Sequence, residues 1–298
     1  YTSSALTASI DRRVKFTPLT EYDREGRVGF ISVPIEARFL INDGQHRKAA
    51  IEQAIKVNPD LGYETIAVVL YIDAGLKRSQ QMFADLNKYA IRPTKSLGIL
   101  YDHRDPVSEL VRRLIVEMPL FKDRIEKERT TISHRSKELF TLSAVYQATR
   151  ALLGKKKFEN VSDEERRLAY EYWSEMARHI PEWKMLLEGR VTSAELRRDY
   201  VHSHGVVLHA LGAAGNSLVS KYPDKWKNHL AKLEEIDWTR GNSEWEGRSM
   251  SGGRLSKSFV NVILTTNYLK KTLGLPLSSE EQRIEQGHLR GQAQGRTR

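Results

Sequence analysis

The chain has 298 residues, long enough to bury a sizeable core in one large domain or two ordinary ones. Its 48 Lys+Arg against 38 Asp+Glu leave a formal net charge of +10, which favours polyanionic partners such as nucleic acid or an anionic membrane surface and says nothing about fold. There is no cysteine, which removes disulfides, thiolate catalysis and any Cys-ligated metal; nothing points to haem, and the composition fits a reducing cytoplasm.

No run of 18 apolar residues is present, so no membrane partner is expected. Tyr1 to Ala8 lack the basic segment and apolar core of a signal peptide and read as internal sequence. In chain order, Val28 to Ile35 and Ala37 to Ile41 are short, β-branched or aromatic, and read as strands, with Pro34 as an edge or a break. A helix is expected from Gln45 to Val57, stopped by Asn58-Pro59-Asp60. Thr65 to Ile72 reads as a buried strand and Ser79 to Ala90 as a helix with Ser79 as its cap. The first third is therefore expected to be an α/β unit, residues 1–105.

The texture becomes helical from about Pro106. Helices are expected around Leu110 to Phe121, over Lys137 to Leu153 with a break at Gly154, over Asp163 to His179 with Pro181 after it, over Ser193 to Leu218, and over Arg254 to Leu273. The overall class is α/β + α, with a helical domain at 106–279 suited to DNA binding or oligomerisation. A polar tail at 280–298, rich in Glu, Gln, Arg and Gly, is expected to be mobile or lightly docked. No internal repeat is visible.

Chemistry concentrates at Asp43-Gly44-Gln45-His46-Arg47, where a strand runs through a glycine turn into a helix. Gly44 permits a backbone conformation costly for other residues. The first helical N–H groups are unpaired, the helix dipole adds positive charge, and a phosphate suits that position. His46 can donate a hydrogen bond and Arg47 offers a planar fork. Asp43 can cap the helix, orient Arg47, hold a divalent ion or act as a base. A second polar cluster, Gln80, Gln81, Asp85 and Asn87, lies on one expected helix, with Gln81 and Asp85 sharing a face. A third, Tyr101-Asp102-His103-Arg104-Asp105, repeats the Asp/His/Arg content of the first and either closes the same site or is a charged loop.

These blocks carry a resemblance. Ile41 to Ala50 resembles the signature of the DGQHR-domain family; Gln81 to Ala90, with Arg92-Pro93 and Lys95-Ser96, resembles its second block, and Tyr101 to Asp105 a third. Leu196 to Gly205 and Trp245 to Arg248 extend the likeness over nearly the whole chain, towards the DndB group of bacterial DNA phosphorothioation clusters. The resemblance implies a ParB/sulfiredoxin-like α/β fold for residues 1–105, control of DNA sulfur modification, and a DNA-binding transcriptional regulator. Relatives in DNA defence hydrolyse nucleotides at an Asp-Gly-Gln-Gln-Arg turn, which carried over points to Asp43, Gln45, His46 and Arg47. His46 stands where those relatives have Gln. Sulfiredoxin chemistry is excluded because there is no cysteine to perform it.

Two functions follow as expectations. The first is a regulator on double-stranded DNA, with Arg112, Arg113, Lys155, Lys156, Lys157, Arg197 and Arg198, besides Arg12-Arg13, as phosphate contacts; it could act as a homo-oligomer. The second is a nucleotide hydrolase, an ATPase with a companion DNA-nicking activity, using ATP or another nucleotide with Mg²⁺ held by Asp43, Asp85 or Asp102. There Asp43, His46, Arg47 and Asp85 would be catalytic, and Gly44, Gln45, His46, Arg47, Gln81, Asn87 and Arg104 would bind nucleotide. No Walker-type Lys motif is present. Trp238, Trp245 and Phe259 are expected in the core rather than stacked on bases, and His202, His204 and His209, whose spacing is poor for a metal, in the core or at an interface. Ser203 and Ser256 have no evident base.

Overall fold

The computed structural model describes residues 5–19, 27–73, 78–79 and 94–295. They fall into two compact units, Tyr1–Arg92 and Pro93–Arg298.

The first unit is built on β1 (Leu6–Ile10), whose five residues are all buried. It pairs antiparallel with β4 (Phe39–Asp43) and parallel with β5 (Val68–Ile72). β1 is short and carries Thr7, Ala8 and Ser9, so its apolar pattern is weak and the sequence did not mark it. Its neighbours bury it from both sides. A separate antiparallel pair joins β2 (Lys15–Pro18) to β3 (Gly29–Ser32). α1 (Gln45–Val57) follows β4 with the expected bounds. Asn58 then caps a 3₁₀ turn over Pro59–Tyr63. β5 differs from the expected buried strand: Val68, Val69, Tyr71 and Ile72 are exposed among the described residues, because it is an edge strand hydrogen-bonded on one side only. Asp73 closes the strand by accepting from Arg78 N at 2.8 Å and Ser79 Oγ at 2.9 Å.

The second unit holds the main apolar core. α2 (Lys95–Tyr101) and α3 (Pro106–Glu117) lead into it, each started by a side-chain cap, Thr94 and Asp105. α4 (Leu142–Leu153) begins at the Thr141 cap rather than at Lys137, since residues 125–126 and 140–141 pair as short parallel strands β6 and β7. α5 (Asp163–His179) has the expected bounds, fixed by a Ser162–Glu165 capping box. α6 (Pro181–Leu187) follows, with the proline at its first turn.

The expected continuous helix Ser193 to Leu218 is two helices, α7 (Ser193–Asp199) and α8 (Gly205–Lys221). Tyr200 leaves the helix to bridge Thr239, and His202 turns into the core to accept from Trp183 Nε1 at 2.9 Å. Buried tertiary partners thus outweigh the helical pattern of the segment. α8 lies against α4 so closely that a β-carbon on Gly212 would overlap the Ala148 carbonyl. Tyr172 donates to Leu211 O at 2.6 Å and Trp173 to Thr149 Oγ1 at 3.1 Å, so the core aromatics keep their polar ends paired. α9 (Trp226–His229) continues the chain. A hairpin of β8 (Met250–Ser251) and β9 (Arg254–Leu255) occupies the start of the expected last helix, and α10 (Phe259–Thr272) begins at the Ser258 cap.

The tail departs most from expectation. Residues Ser279–Gly295 form α11, which is held by a buried ion-pair network rather than by apolar contact. Glu285 accepts from Arg248 Nη2 at 2.8 Å and Nη1 at 3.0 Å, from Lys271 Nζ at 2.6 Å and from Asn267 Nδ2 at 3.2 Å. Lys270 adds a bond to Glu281 at 2.6 Å. Polar composition therefore hid an anchored helix. Among the described residues no helix is long and apolar enough to cross a membrane.

Burial pushes the Glu285 carboxyl up, but Arg248, Lys271 and Asn267 outweigh it and bring it to about 2, from an ordinary value of 4.5. Its contribution to stability is complete above the ordinary value and is lost as pH falls towards about 2. Glu285→Gln should cost about 3 kcal/mol at neutral pH, because it leaves Arg248 buried beside a neutral amide. The parent should lose the same increment in acid while the variant does not. Urea unfolding of both proteins at neutral and acid pH checks this.

Candidate functional site

β4 delivers Asp43 to a turn at Gly44, whose φ of 99° lies in the left-handed region and where a β-carbon would overlap Leu6 Cδ2. The left-handed φ is what calls for glycine there; the Leu6 methyl could give way. α1 starts at Gln45 with no side-chain cap, so capping is not the part Asp43 plays. Its carboxylate holds Arg47 at 2.6 Å, one helical turn on, and Arg47 Nη2 also donates to Ala5 O at 3.3 Å. Gln45 Nε2 donates back to Ile41 O at 3.3 Å, and His46 is exposed. Asn42, fully buried beneath the turn, donates to Ser9 Oγ at 2.5 Å. The turn thus offers an uncapped helix start with a guanidinium fixed beside it. Gln80, Gln81, Asp85 and Asn87 lie outside the described residues.

The third block belongs to the second unit. Asp105 is buried at the start of α3 and organises two elements at once. One oxygen accepts from Ser108 N at 3.2 Å and Ser108 Oγ at 2.7 Å; the other accepts from Phe158 N at 3.1 Å. Burial pushes its carboxyl up, but the Ser108 hydroxyl and these backbone donors outweigh it and leave it below the usual range. Phe158 is held with φ of 66°, a conformation rare for an aromatic residue, and about half of its surface is exposed. Lys157 Nζ lies 4.5 Å from the Phe158 ring centre and Arg104 Cζ 5.8 Å from it. Asp102 is shared between Arg104 at 3.2 Å and Lys157 at 3.7 Å. The Tyr101–Asp105 block and the Lys155–Phe158 loop are therefore one exposed knuckle: Arg104, Lys156 and Lys157 around Phe158. The sequence reading missed Phe158, although an aromatic directly after three lysines was the available signal.

The other basic candidates divide by what they touch. Arg112 donates to Ile99 O at 2.8 Å and Asp102 O at 3.1 Å, tying α2 to α3. Arg197 gathers the carbonyls of Ser133, His134, Ser136 and Glu138, and burial lowers its pKa. Lys155 is largely covered and pairs with Glu165 at 2.8 Å. Arg113 pairs with Glu109 at 2.7 Å and Arg198 with Asp199 at 2.6 Å, both exposed. A basic-rimmed cleft of about 740 Å³ that the sequence did not suggest is lined by Lys122, Arg135 and Lys137 with Glu117 and Asp123.

Trp238 and Trp245 are buried and stacked at 5.4 Å as expected, but Phe259 is exposed, contrary to expectation; it stands at the first turn of α10, ahead of the buried stripe. Ser203 Oγ lies 3.2 Å from His202 Nδ1, and His202 Nε2 lies 3.2 Å from Glu182. The partners resemble a hydrolytic triad. However, Trp183 already donates to the same Nδ1 at 2.9 Å, and both Ser203 and His202 are buried. Burial, the first influence on His202, lowers its pKa despite Glu182. The set is a core polar network. Among the described residues no group of three His, Asp or Glu side chains is gathered to hold a metal ion.

The family model DndB, described as DNA-sulfur modification-associated, matches residues 1–276. The chain belongs to the DndB family. The match spans both units, so the Gly44 turn and the Phe158 knuckle are both features of a DndB-family chain. No curated protein and no solved structure matches the chain. Membership ties this DndB chain to DNA sulfur modification.

Because Asp105 is both the cap of α3 and the acceptor for Phe158 N, Asp105→Ala should cost at least about 1 kcal/mol of stability. It should also make the 155–158 loop the first point of cleavage. Urea unfolding with limited proteolysis measures both, and unchanged cleavage at the loop would remove Asp105 as its anchor.

Proposed function

We propose that this DndB-family chain is a DNA-binding regulator of DNA phosphorothioate modification genes, meeting the duplex at the Phe158 knuckle. The observation that carries the reading is the exposure of Arg104, Lys156 and Lys157 around an exposed aromatic on a pinned loop. Three cations at one edge suit successive phosphates, and a rigid backbone holds them at little entropic cost on binding. Phe158 gives the surface an apolar point for a base edge or a sugar. Arg112, Arg197 and Lys155 are left out of this contact, since they are covered or half-buried against carbonyls and carboxylates of the chain, whereas Arg104 and Lys157, which share Asp102, stay exposed.

Lys156→Glu with Lys157→Glu should weaken duplex binding and lower the slope of log affinity against log salt by about 2. Phe158→Gly should fold at least as stably, because it relieves the left-handed conformation by about 1 kcal/mol, yet bind DNA less tightly. Filter binding across a salt series, beside thermal melting, reads these effects. Unchanged slope and affinity in the double variant would remove the knuckle from the interface.

A second reading is favoured by the uncapped start of α1. We infer that the Gly44 turn receives a nucleotide phosphate, in keeping with a ParB/sulfiredoxin-like reading of the first unit. Gln45, His46 and Arg47 would supply donors, and Arg47 is already aimed by Asp43. A Mg²⁺ ion at Asp43 would have to compete with Arg47 at 2.6 Å, and one at Asp102 with Arg104 and Lys157. The donor set therefore fits phosphate better than it fits a metal, and binding is the reading preferred over hydrolysis or DNA nicking. Asp43→Ala should release Arg47 and weaken ATP binding with no ATP turnover in the parent, measured with Mg²⁺ with and without DNA. Turnover abolished by Asp43→Ala would instead make the turn catalytic.

A further inference from the structure

α11 docks on one narrow face. Of its residues up to Gly291, Glu281, Ile284, Glu285 and His288 are the ones withdrawn from solvent, spaced as one stripe of a helix. Only one of the four is apolar. The stripe meets Asn267, Lys270 and Lys271 of α10 and Arg248 ahead of it. The family match ends at residue 276 and α11 begins at Ser279, so the helix lies outside the matched part of the chain.

The surface beneath α11 is built to hold an anion. Arg248 is fixed from behind: Nη1 donates to Leu264 O at 2.9 Å, the guanidinium carbon lies 5.6 Å from the Tyr268 ring centre, and Asn261 Nδ2 donates to Arg248 O. None of these partners belongs to α11, so the fork keeps its aim without the helix. Arg248 Nη1 and Nη2, Lys271 Nζ and Asn267 Nδ2 all close on the single carboxylate of Glu285. Lys270 Nζ, beside them on α10, takes Glu281. Arg248 Nε stays buried with no hydrogen-bond partner, a donor that the carboxylate leaves unanswered. A phosphate offers more acceptor oxygens than a carboxylate and meets a guanidinium in the same forked way.

The helix is also releasable. A buried ion pair gains little over the same ions in water. Gly287 and Gly291 lower the helix propensity of the segment, which has little to keep it helical once it leaves the body. Against burial, Arg248, Lys271 and Asn267 hold the Glu285 carboxyl down at about 2, so competition by another anion, and not protonation near neutral pH, is the way to open the contact.

We propose that α11 is an autoinhibitory strap over a phosphate site, its Glu281 and Glu285 carboxylates standing where phosphate groups bind Arg248, Lys270, Lys271 and Asn267. In the docked state Arg248 serves the fold; with α11 released the three cations face solvent. The phosphates are those of a DNA backbone, an assignment that rests on the DNA-binding reading above. A free polyphosphate shares the chemistry, and the experiment separates the two sources.

The full chain is compared with two releasing variants. Gln286→Pro breaks α11 from its exposed side without changing its charge; Glu281→Gln with Ile284→Gln weakens the docked face. Trypsin cleavage at Arg283 and Arg290, thermal melting with and without pyrophosphate, and duplex binding across a salt series are measured for each. In both variants α11 should be cut sooner than in the parent while the body still melts cooperatively. Duplex affinity should rise about tenfold, with the slope of log affinity against log salt steeper by about 2 to 3. Pyrophosphate should raise the melting temperature of the variants more than that of the parent. Adding Lys270→Gln with Lys271→Gln to Gln286→Pro should remove most of the gain. Lys156→Glu with Lys157→Glu should lower the affinity of the parent and of Gln286→Pro alike and leave the difference between them. The proposal is overturned if the released variants bind duplex and pyrophosphate as the parent does, if the Lys270 and Lys271 changes leave the gain intact, or if neither variant folds, which would make α11 part of the body. Pyrophosphate bound by the variants, with no duplex bound by any of the proteins, would remove the DNA reading and keep the site, with a free phosphate compound as its source.

Discussion

The close crossing of α4 and α8 is the constraint on which the second unit depends. Gly212 meets the Ala148 carbonyl where no β-carbon fits, and Gly215 meets the Tyr172 ring in the same way. That proximity brings Tyr172 within reach of Leu211 O and lets α5 close over the pair. It also fixes what the two helices end on. α4 stops at Gly154 in the left-handed conformation, and Asn216 of α8 donates to Leu152 O at 2.8 Å beside that end. The loop that follows carries Lys156, Lys157 and Phe158. The opposite end of α8, at Gly205, lies beside Ala144 of α4 and Lys257. One packing contact therefore sets where the loop of Lys156, Lys157 and Phe158 begins.

The net charge of +10 is spent unevenly. Arg112, Arg197 and Arg248 each turn their guanidinium onto carbonyls of the chain, and Arg248 also onto Glu285. A guanidinium has five donors, so it satisfies loop and helix-end carbonyls that no regular element reaches. These arginines hold the fold, and only those beyond them are left to face a polyanion. A count of basic residues in the sequence overstates the binding surface for this reason, while the exposed remainder around Phe158 is compact.

The first unit is organised differently. Among the described residues its only fully buried strand is β1, and α1 buries none. What it positions well is the turn. Pairing of β4 with β1 places Asp43 opposite Thr7, a bulge lies between Thr7 and Ala8, and Arg47 reaches back to Ala5 O. The glycine and the Asp43–Arg47 pair together give a DndB-family chain a stiff, positively polarised corner at the end of a short sheet.

Local chemistry made several elements legible in the sequence. α1 and α5 begin at a glycine turn and a capping box and end at Asn58 and before Pro181, signals that act within a few residues and need no partner. The same holds for the Asp43 to Arg47 turn, where strand, glycine and helix follow one another directly. Features built by distant residues were not legible. The break between α7 and α8 exists because His202 and Tyr200 have partners at Trp183 and Thr239, and α11 is anchored because Glu285 meets Arg248, 37 residues away. The knuckle joins residues 102–105 to 157–158, and Lys257 meets the start of α8. The sequence alone determined the mixed class of fold, the turn and the ends of α1 and α5, because those rest on short-range sterics and capping. The tertiary structure alone decided which cations are consumed and which stay open, because that depends on which carbonyls and carboxylates folding brings beside them.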